Sequence, residues 1–168
     1  RLFSNPILTF LKLLRKKDYY NTNGMHLRYF ICNIRFNKLS RVLGFTIPIG
    51  VFGPGLVIPH FGTIVVGPGN KIGSYCVLHT STCITAGQKR IGDCFYLSSG
   101  AKVIGDVAIG NNVSVGANSL VNRSFEIDNV LIGGVPAKVI KESLPWYERD
   151  GEEFKRRIEL CESLKNKI

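Results

Sequence analysis

Two histidines stand where this sequence can put an imidazole to work. Aliphatic residues recur six apart through much of the chain, and the period breaks around His60: Ile58 to Val66 spans eight residues, two more than it allows. Extra residues at that point bulge the chain and push a side chain outward. An imidazole titrates near neutral pH, so it can take a proton from a hydroxyl as that oxygen attacks an electrophile. His79 directly follows Leu78, three repeat units after Ile58. It is therefore predicted on the same face as His60, one coil on and roughly 4.8 Å along. His26 has no such context and is given no role. Cys32, Cys76, Cys83, Cys94 and Cys161 form no CxxC pair and have no His at metal spacing, so no metal site and no covalent acyl-cysteine is expected.

The elements that must hold these histidines follow from the period. Val66, Ile72, Leu78 and Ile84, then Ile91, Leu97, Val103, Ile109, Val115 and Val121, are spaced by six, with one extra residue within 85–90. A hexapeptide period marks a parallel β-helix, in which six residues supply one short strand and a turn and three units make a triangular coil. Frequent glycines suit the tight corners, because glycine accepts positive φ. The expected fold is mainly β, with 1–43 an N-terminal helical segment, 44–141 the β-helix and 142–168 a helical tail. In the first segment Phe10, Leu11, Leu13 and Leu14 cluster, and Leu27, Phe30, Ile31, Ile34 and Leu39 recur at near-helical spacing. The tail, with Trp146, Phe154, Ile158, Leu160 and Leu164, reads as a helix laid on the last coil or on a neighbour. A solenoid must cover both open ends, and the two helical segments are the natural caps.

Composition narrows the partners. The chain carries 22 Lys and Arg against 12 Asp and Glu, a formal charge of +10, gathered mostly near its two ends. The basic residues are not interleaved with aromatics in one motif, so a solvated helical face is preferred over nucleic-acid binding. An anionic cofactor, or a membrane surface bearing an anionic lipid-linked substrate, is the functional alternative. The odd, irregular cysteine count points to free thiols in a reducing, cytoplasmic compartment. Pro6 to Leu14 is too short to span a bilayer. The sequence opens on Arg1 rather than Met, which leaves room for a preceding portion.

The repeats, the segment Gly53-Pro-Gly-Leu-Val-Ile-Pro-His60-Phe-Gly-Thr-Ile-Val-Val-Gly67 and the segment Ile132-Gly-Gly-Val-Pro-Ala-Lys-Val-Ile140 resemble the hexapeptide-repeat acyltransferases. The nearest likeness is the serine acetyltransferase-like branch, which includes capsule and exopolysaccharide O-acetyltransferases; it covers about 44–141. That resemblance implies a left-handed β-helix, a homotrimer, and acetyl-CoA as donor in a cleft between subunits. It implies His60 as general base for direct attack on the thioester, with His79 beside it as a catalytic or acceptor-binding residue. It implies donor contacts at Ser99 and Ala117, continued by Gly134, Ala137 and Lys138, where small residues let backbone amides approach the cofactor and the lysine meets a phosphate.

Two departures bear on the acceptor. Serine acetyltransferases pair the base with an upstream Asp, where this chain has Phe45 beside Thr46, and place a second His where Gln88 stands. A base can work without its carboxylate, which mainly orients the ring and stabilises the imidazolium. The expected function is therefore acetyl-CoA-dependent O-acetylation of a sugar hydroxyl in a surface or capsular polysaccharide precursor. Serine O-acetylation in cysteine biosynthesis is the alternative enzyme; the terminal Ile168 fits the sulfhydrylase-docking end of that group, but Asn166-Lys167 before it does not. A non-catalytic hexapeptide scaffold is the alternative of another class. A carbonic-anhydrase-like reading lacks the three histidines for zinc.

Overall fold

The structure is a computed structural model and describes residues 5–165. Ile168 and the Asn166-Lys167 before it lie outside the described residues.

Two helices come first, α1 (Pro6–Thr22) and α2 (His26–Leu43). Asn5 caps α1, its Oδ1 accepting from the Ile7 N–H at 2.9 Å, and Pro6 follows where a missing N–H costs nothing. α2 stops at Gly44, whose φ of 77° closes the helix in the left-handed region. The first face of the hairpin is buried: Ile7, Phe10, Leu13 and Leu14 of α1 join Cys32, Phe36 and Leu43 of α2 in the main core. Phe10 stacks on Phe36 at 4.9 Å and meets Phe45 edge-on at 5.1 Å. Leu27, Phe30, Ile31 and Ile34 share the helical period but point away from this core and are exposed.

The remaining elements form a parallel β-solenoid of about five coils with three sheets. The first sheet contains β1 (Phe45–Thr46), β2 (Ile64–Val66), β5 (Thr82–Ile84), β8 (Lys102–Val103) and β11 (Leu120–Val121), neighbours in that order. The second contains β3 (Lys71–Ile72), β6 (Arg90–Ile91) and β9 (Ala108–Ile109), extended by single bridges from Phe52 to Ile72 and from Ile109 to Phe125. The third contains β4 (Val77–Leu78), β7 (Tyr96–Leu97), β10 (Ser114–Val115) and β12 (Val130–Gly134). Each ladder residue ends its strand, faces inward and stacks on its counterpart, as in Val66, Ile84, Val103 and Val121 or Leu78, Leu97 and Val115. All ten are buried. Each such side chain contributes about 1.5–3 kcal/mol on leaving water, so the stack is the main source of cohesion.

The break within 85–90 is a corner built around a lysine. Lys89 is fully enclosed, and its Nζ donates to the carbonyls of Thr85 at 2.9 Å and Ala86 at 3.3 Å. Asn70 ties the corner to the coil before, donating to the Gly67 and Thr85 carbonyls and accepting from the Lys89 N–H. Burial lowers the Lys89 pKa, opposed by Asp106 and Cys83.

The ends differ from expectation in two ways. The helical hairpin does plug the first coil: Phe10 of α1 meets Phe45, the buried face of α1 shares one core with Ile47, Val51 and Leu56, and Arg15 donates to the carbonyls of Phe52 (2.7 Å) and Gly53. The last coil, however, is closed by a strand. After Gly134 the chain reverses into β13 (Ala137–Glu142), antiparallel to β12. The tail then leaves the last coil and runs back along the third sheet as α3 (Trp146–Arg149) and α4 (Glu152–Lys165). Trp146 is buried with Tyr75, Val77 and Cys94, and its Nε1 donates to the Tyr75 carbonyl at 2.8 Å. A large apolar anchor and one satisfied N–H thus draw the tail to an early coil.

Close stacking also sets what each corner tolerates. A Cβ on Gly67 would run into the backbone of Ala86, whereas one on Gly105, at φ 71°, meets nothing within 4 Å. Gly67→Ala is therefore expected to cost about 3 kcal/mol, as overpacking does. Gly105→Asn, a residue that tolerates the left-handed region, is expected to stay within about 1 kcal/mol of the parent. Thermal unfolding of the two variants checks the contrast.

Candidate active site

One edge of the prism, where the third sheet turns into the first, gathers most of the residues singled out above. Coil by coil it comprises residues 59–63, 79–81, 98–101, 116–119 and 133–136, held in register by backbone hydrogen bonds. The His79 N–H donates to Leu97 O at 3.0 Å, Ser98 to Val115 O at 3.2 Å and Gly116 to Ile132 O at 2.8 Å. Gly100 donates to Thr80 O at 3.1 Å and Asn118 to Ser99 O at 3.0 Å.

His60 sits on the widened first corner. The bulge is anchored by the Gly62 N–H, which donates to Leu43 O at 3.0 Å, so the end of α2 fixes its position. Gly62 adopts φ 134° and lies so close to Thr80 that a Cβ would come within 2.7 Å of its hydroxyl. Only glycine fits there. His60 and Phe61 are both exposed. The His60 and His79 rings are tilted by 51° with centroids 6.4 Å apart, so one bound group can reach both. No carboxylate is hydrogen-bonded to His60 among the described residues. Phe45 is a core side chain packed on Phe10.

Sequence reasoning missed the continuation of this surface. Tyr96 lies 5.0 Å from His79, and the Arg149 guanidinium stacks over the Tyr96 ring at 4.8 Å. Arg149 also donates to Ser114 Oγ at 3.3 Å and pairs with Asp150 at 3.1 Å. No period marks Tyr96, an outward strand residue, and Arg149 arrives only because Trp146 pins the tail. Half-burial lowers the His79 pKa, His60 adds to that lowering, and Asp150 opposes it. His79 therefore stays neutral at physiological pH. Burial, with Asp150 adding, raises Tyr96, so its phenol keeps its proton.

Further along the edge, Ser99, Ala117 and Gly134 are exposed and stand one, two and three coils beyond His79, a run of about 14 Å. The Gly134 N–H donates to Ser119 Oγ at 3.0 Å. Lys138 is exposed on β13, whereas Ala137 is fully enclosed and its carbonyl accepts from Arg123 at 3.2 Å. Gln88 belongs to the next edge, between the first and second sheets, and is not brought to His60 within this chain. Among the described residues no group of His, Cys, Asp or Glu is arranged to hold a metal ion.

With this geometry in place, known proteins give it context. The chain is 33% identical over 116 residues to a serine acetyltransferase of Synechococcus elongatus, covering 64% of this chain and 47% of that protein. The chain resembles the serine acetyltransferase-like hexapeptide acyltransferases. A Buchnera aphidicola (subsp. Schizaphis graminum) serine acetyltransferase is 29% identical over 147 residues, 77% of this chain and 56% of the relative. The chain thus spans about half the length of the curated relatives it matches. No family profile matches it. Among solved structures, serine acetyltransferase from Brucella abortus in complex with coenzyme A superposes with a TM-score of 0.66 at 21% identity, over 80% of this chain and 56% of that one. The Neisseria gonorrhoeae serine acetyltransferase gives 0.63 at 23% identity, over 80% and 54%. These superpositions bear on the fold.

The charges around His79 can be read directly by NMR titration. Its ring should titrate below 6.5, the ordinary histidine value. His60→Ala removes the neighbouring ring that lowers His79 and should move the midpoint up; Asp150→Asn removes the opposing carboxylate and should move it down. A folded-state value below the unfolded one means that stability falls as pH drops below about 6.5, because the unfolded chain binds the proton more readily.

Proposed function

We propose that this chain transfers an acetyl group from acetyl-CoA to a hydroxyl acceptor, with His60 as general base. The observation that carries the reading is the shared edge: an imidazole pair at one end, His60 exposed and His79 half-buried, and a run of small corner residues at the other, on one line. His60 takes the acceptor's hydroxyl proton as that oxygen bonds to the acetyl carbon. The carbon–sulfur bond then breaks, and the thiolate leaves with the proton. The donor supplies an activated thioester, so no covalent enzyme intermediate is needed. A positioned base of this kind contributes about 10²–10⁴ in rate.

Ser99 and Ala117 would hold the pantetheine arm through backbone amides that their small side chains leave accessible, Gly134, whose N–H is engaged with Ser119 Oγ, would leave the groove open, and Lys138 would meet a phosphate as a point charge. Ala137 is enclosed and offers only its backbone. A homotrimer would complete the cleft. The exposed Phe61 (72%) and Val135 (70%) on the same edge support that assembly, since large apolar groups there gain cover from a neighbour.

The preferred acceptor is a sugar hydroxyl of a surface-polysaccharide precursor. Support comes from the lack, among the described residues, of a carboxylate hydrogen-bonded to His60, from Gln88 standing where the resemblance implies a second His, and from the Tyr96 and Arg149 surface beside His79. Tyr96 gives a sugar ring a face to lie on, and Arg149 suits an acidic one. Serine O-acetylation is the second reading, favoured by the names of the relatives.

His60→Ala is expected to bind CoA like the parent while thiol release with acceptor falls at least about 100-fold. Calorimetry and a thiol-release assay across sugars and L-serine check both points. Near-parental turnover would remove His60 as base, turnover by the parent with L-serine and with none of the sugars would select the second reading, and failure of the parent to bind CoA would leave a scaffold.

A further inference from the structure

The net charge of this chain is carried almost wholly by its helical hairpin. Residues 1–46 hold nine of the Lys and Arg and one acid, Asp18, a formal +8 of the total +10. α2 holds Arg28, Arg35, Lys38 and Arg41 and no acid at all. None of the four is in an ion pair; the salt bridges among the described residues are Arg149–Asp150 and Arg157–Glu153.

α2 is also apolar on two opposite faces. Cys32, Phe36 and Leu43 face α1 and the first coil. On the other side Leu27, Phe30, Ile31 and Ile34 form a stripe at i, i+3, i+4 and i+7, and Val42 extends it. All five are more than half exposed. The stripe spans about 22 Å of helix. Such a patch is large for a surface left in water. Beside it, between α1 and α2, a recess of about 230 Å³ is lined by Lys16, Arg28 and Arg35 together with Tyr20 and Ile31, a pocket of phosphate-attracting charge at the rim of the apolar stripe.

We propose that the outward face of α2 docks on an anionic lipid bilayer surface, with the apolar stripe entering the headgroup boundary and the basic residues meeting lipid phosphates. An apolar stripe flanked by Arg and Lys on a helix that cannot span a bilayer is the chemistry of an interfacial helix. A second copy of the chain is disfavoured by the same charges. Pairing two such faces would set Arg28, Arg35, Lys38 and Arg41 against their counterparts without one carboxylate on α2 to offset them. A bilayer needs no shaped complement, and the recess beside Ile34 and Val42 is itself lined by Lys38 and Arg41. The docking stands apart from the transfer chemistry, although the His60 corner is tied to the end of this same helix through the Gly62–Leu43 hydrogen bond.

Flotation of the full chain with vesicles tests this. It should partition onto an equimolar mixture of phosphatidylcholine and phosphatidylglycerol, bind pure phosphatidylcholine at least about tenfold more weakly, and be released at about 1 M salt, where charges are screened within about 3 Å. Each basic group near an anionic surface is worth about fivefold in partitioning, so Arg28→Gln with Arg35→Gln should weaken binding about 25-fold. Phe30→Ser with Ile34→Ser should abolish it, with circular dichroism and melting unchanged because both side chains are exposed. A Phe30→Trp reporter should shift its emission to the blue on mixed vesicles only. Equal binding to both vesicle types, or no binding to either, would overturn the proposal. So would oligomers of the chain that come apart on Phe30→Ser, which would give the face to a second copy.

Discussion

Everything in this molecule depends on inward aliphatic side chains stacking in register from coil to coil. Val66, Ile84, Val103 and Val121 form one such column, and Leu78, Leu97, Val115 and Ile132 another. A coil that slipped by one residue would turn its whole interior outward, so the stack fixes each strand absolutely. Fixing the strands fixes the corners. Residues far apart in sequence are thereby laid along one edge at strand spacing, and a property of a single corner becomes a property of the column. Glycines are required where columns press together, as at Gly62 against Thr80 and at Gly67 against Ala86.

The places where the period fails are where the molecule does something other than stack. At 59–63 two additional residues widen the corner, bring His60 into solvent and leave it beside His79. At 85–90 one additional residue is absorbed by folding Lys89 inward over the carbonyls of Thr85 and Ala86. The first break puts two imidazoles on one edge; the second consumes its charge internally and presents Gln88 elsewhere. The hairpin contributes a third feature: it seals the first coil with one face while leaving a basic, apolar face outside.

The ladder and the placing of His79 one coil from His60 were legible from the repeat, whereas Ser99, Ala117 and Gly134 were singled out by the family resemblance and lie along the same edge. What escaped is what the period does not govern. The reversal into β13 depends on pairing Val130 with Glu142 and Gly134 with Ala137 across a turn that continues no repeat. The tail's route depends on Trp146 reaching Tyr75, a contact across 71 positions that no local pattern announces. Tyr96 and Arg149 were missed for that reason. The helical spacing of Leu27, Phe30, Ile31 and Ile34 was legible, but which face of α2 meets the core is decided by the Phe10, Phe36 and Phe45 cluster.

The central claim is that donor and base share one edge of the prism. Hydrogen–deuterium exchange with and without CoA tests it most directly. Protection should be strongest at 98–101, 116–119 and 133–138, and the next edge, at 67–70, 86–89 and 104–106, should respond only where a neighbouring copy brings it to the cleft. Protection at that second edge, with none along the first, would contradict the account.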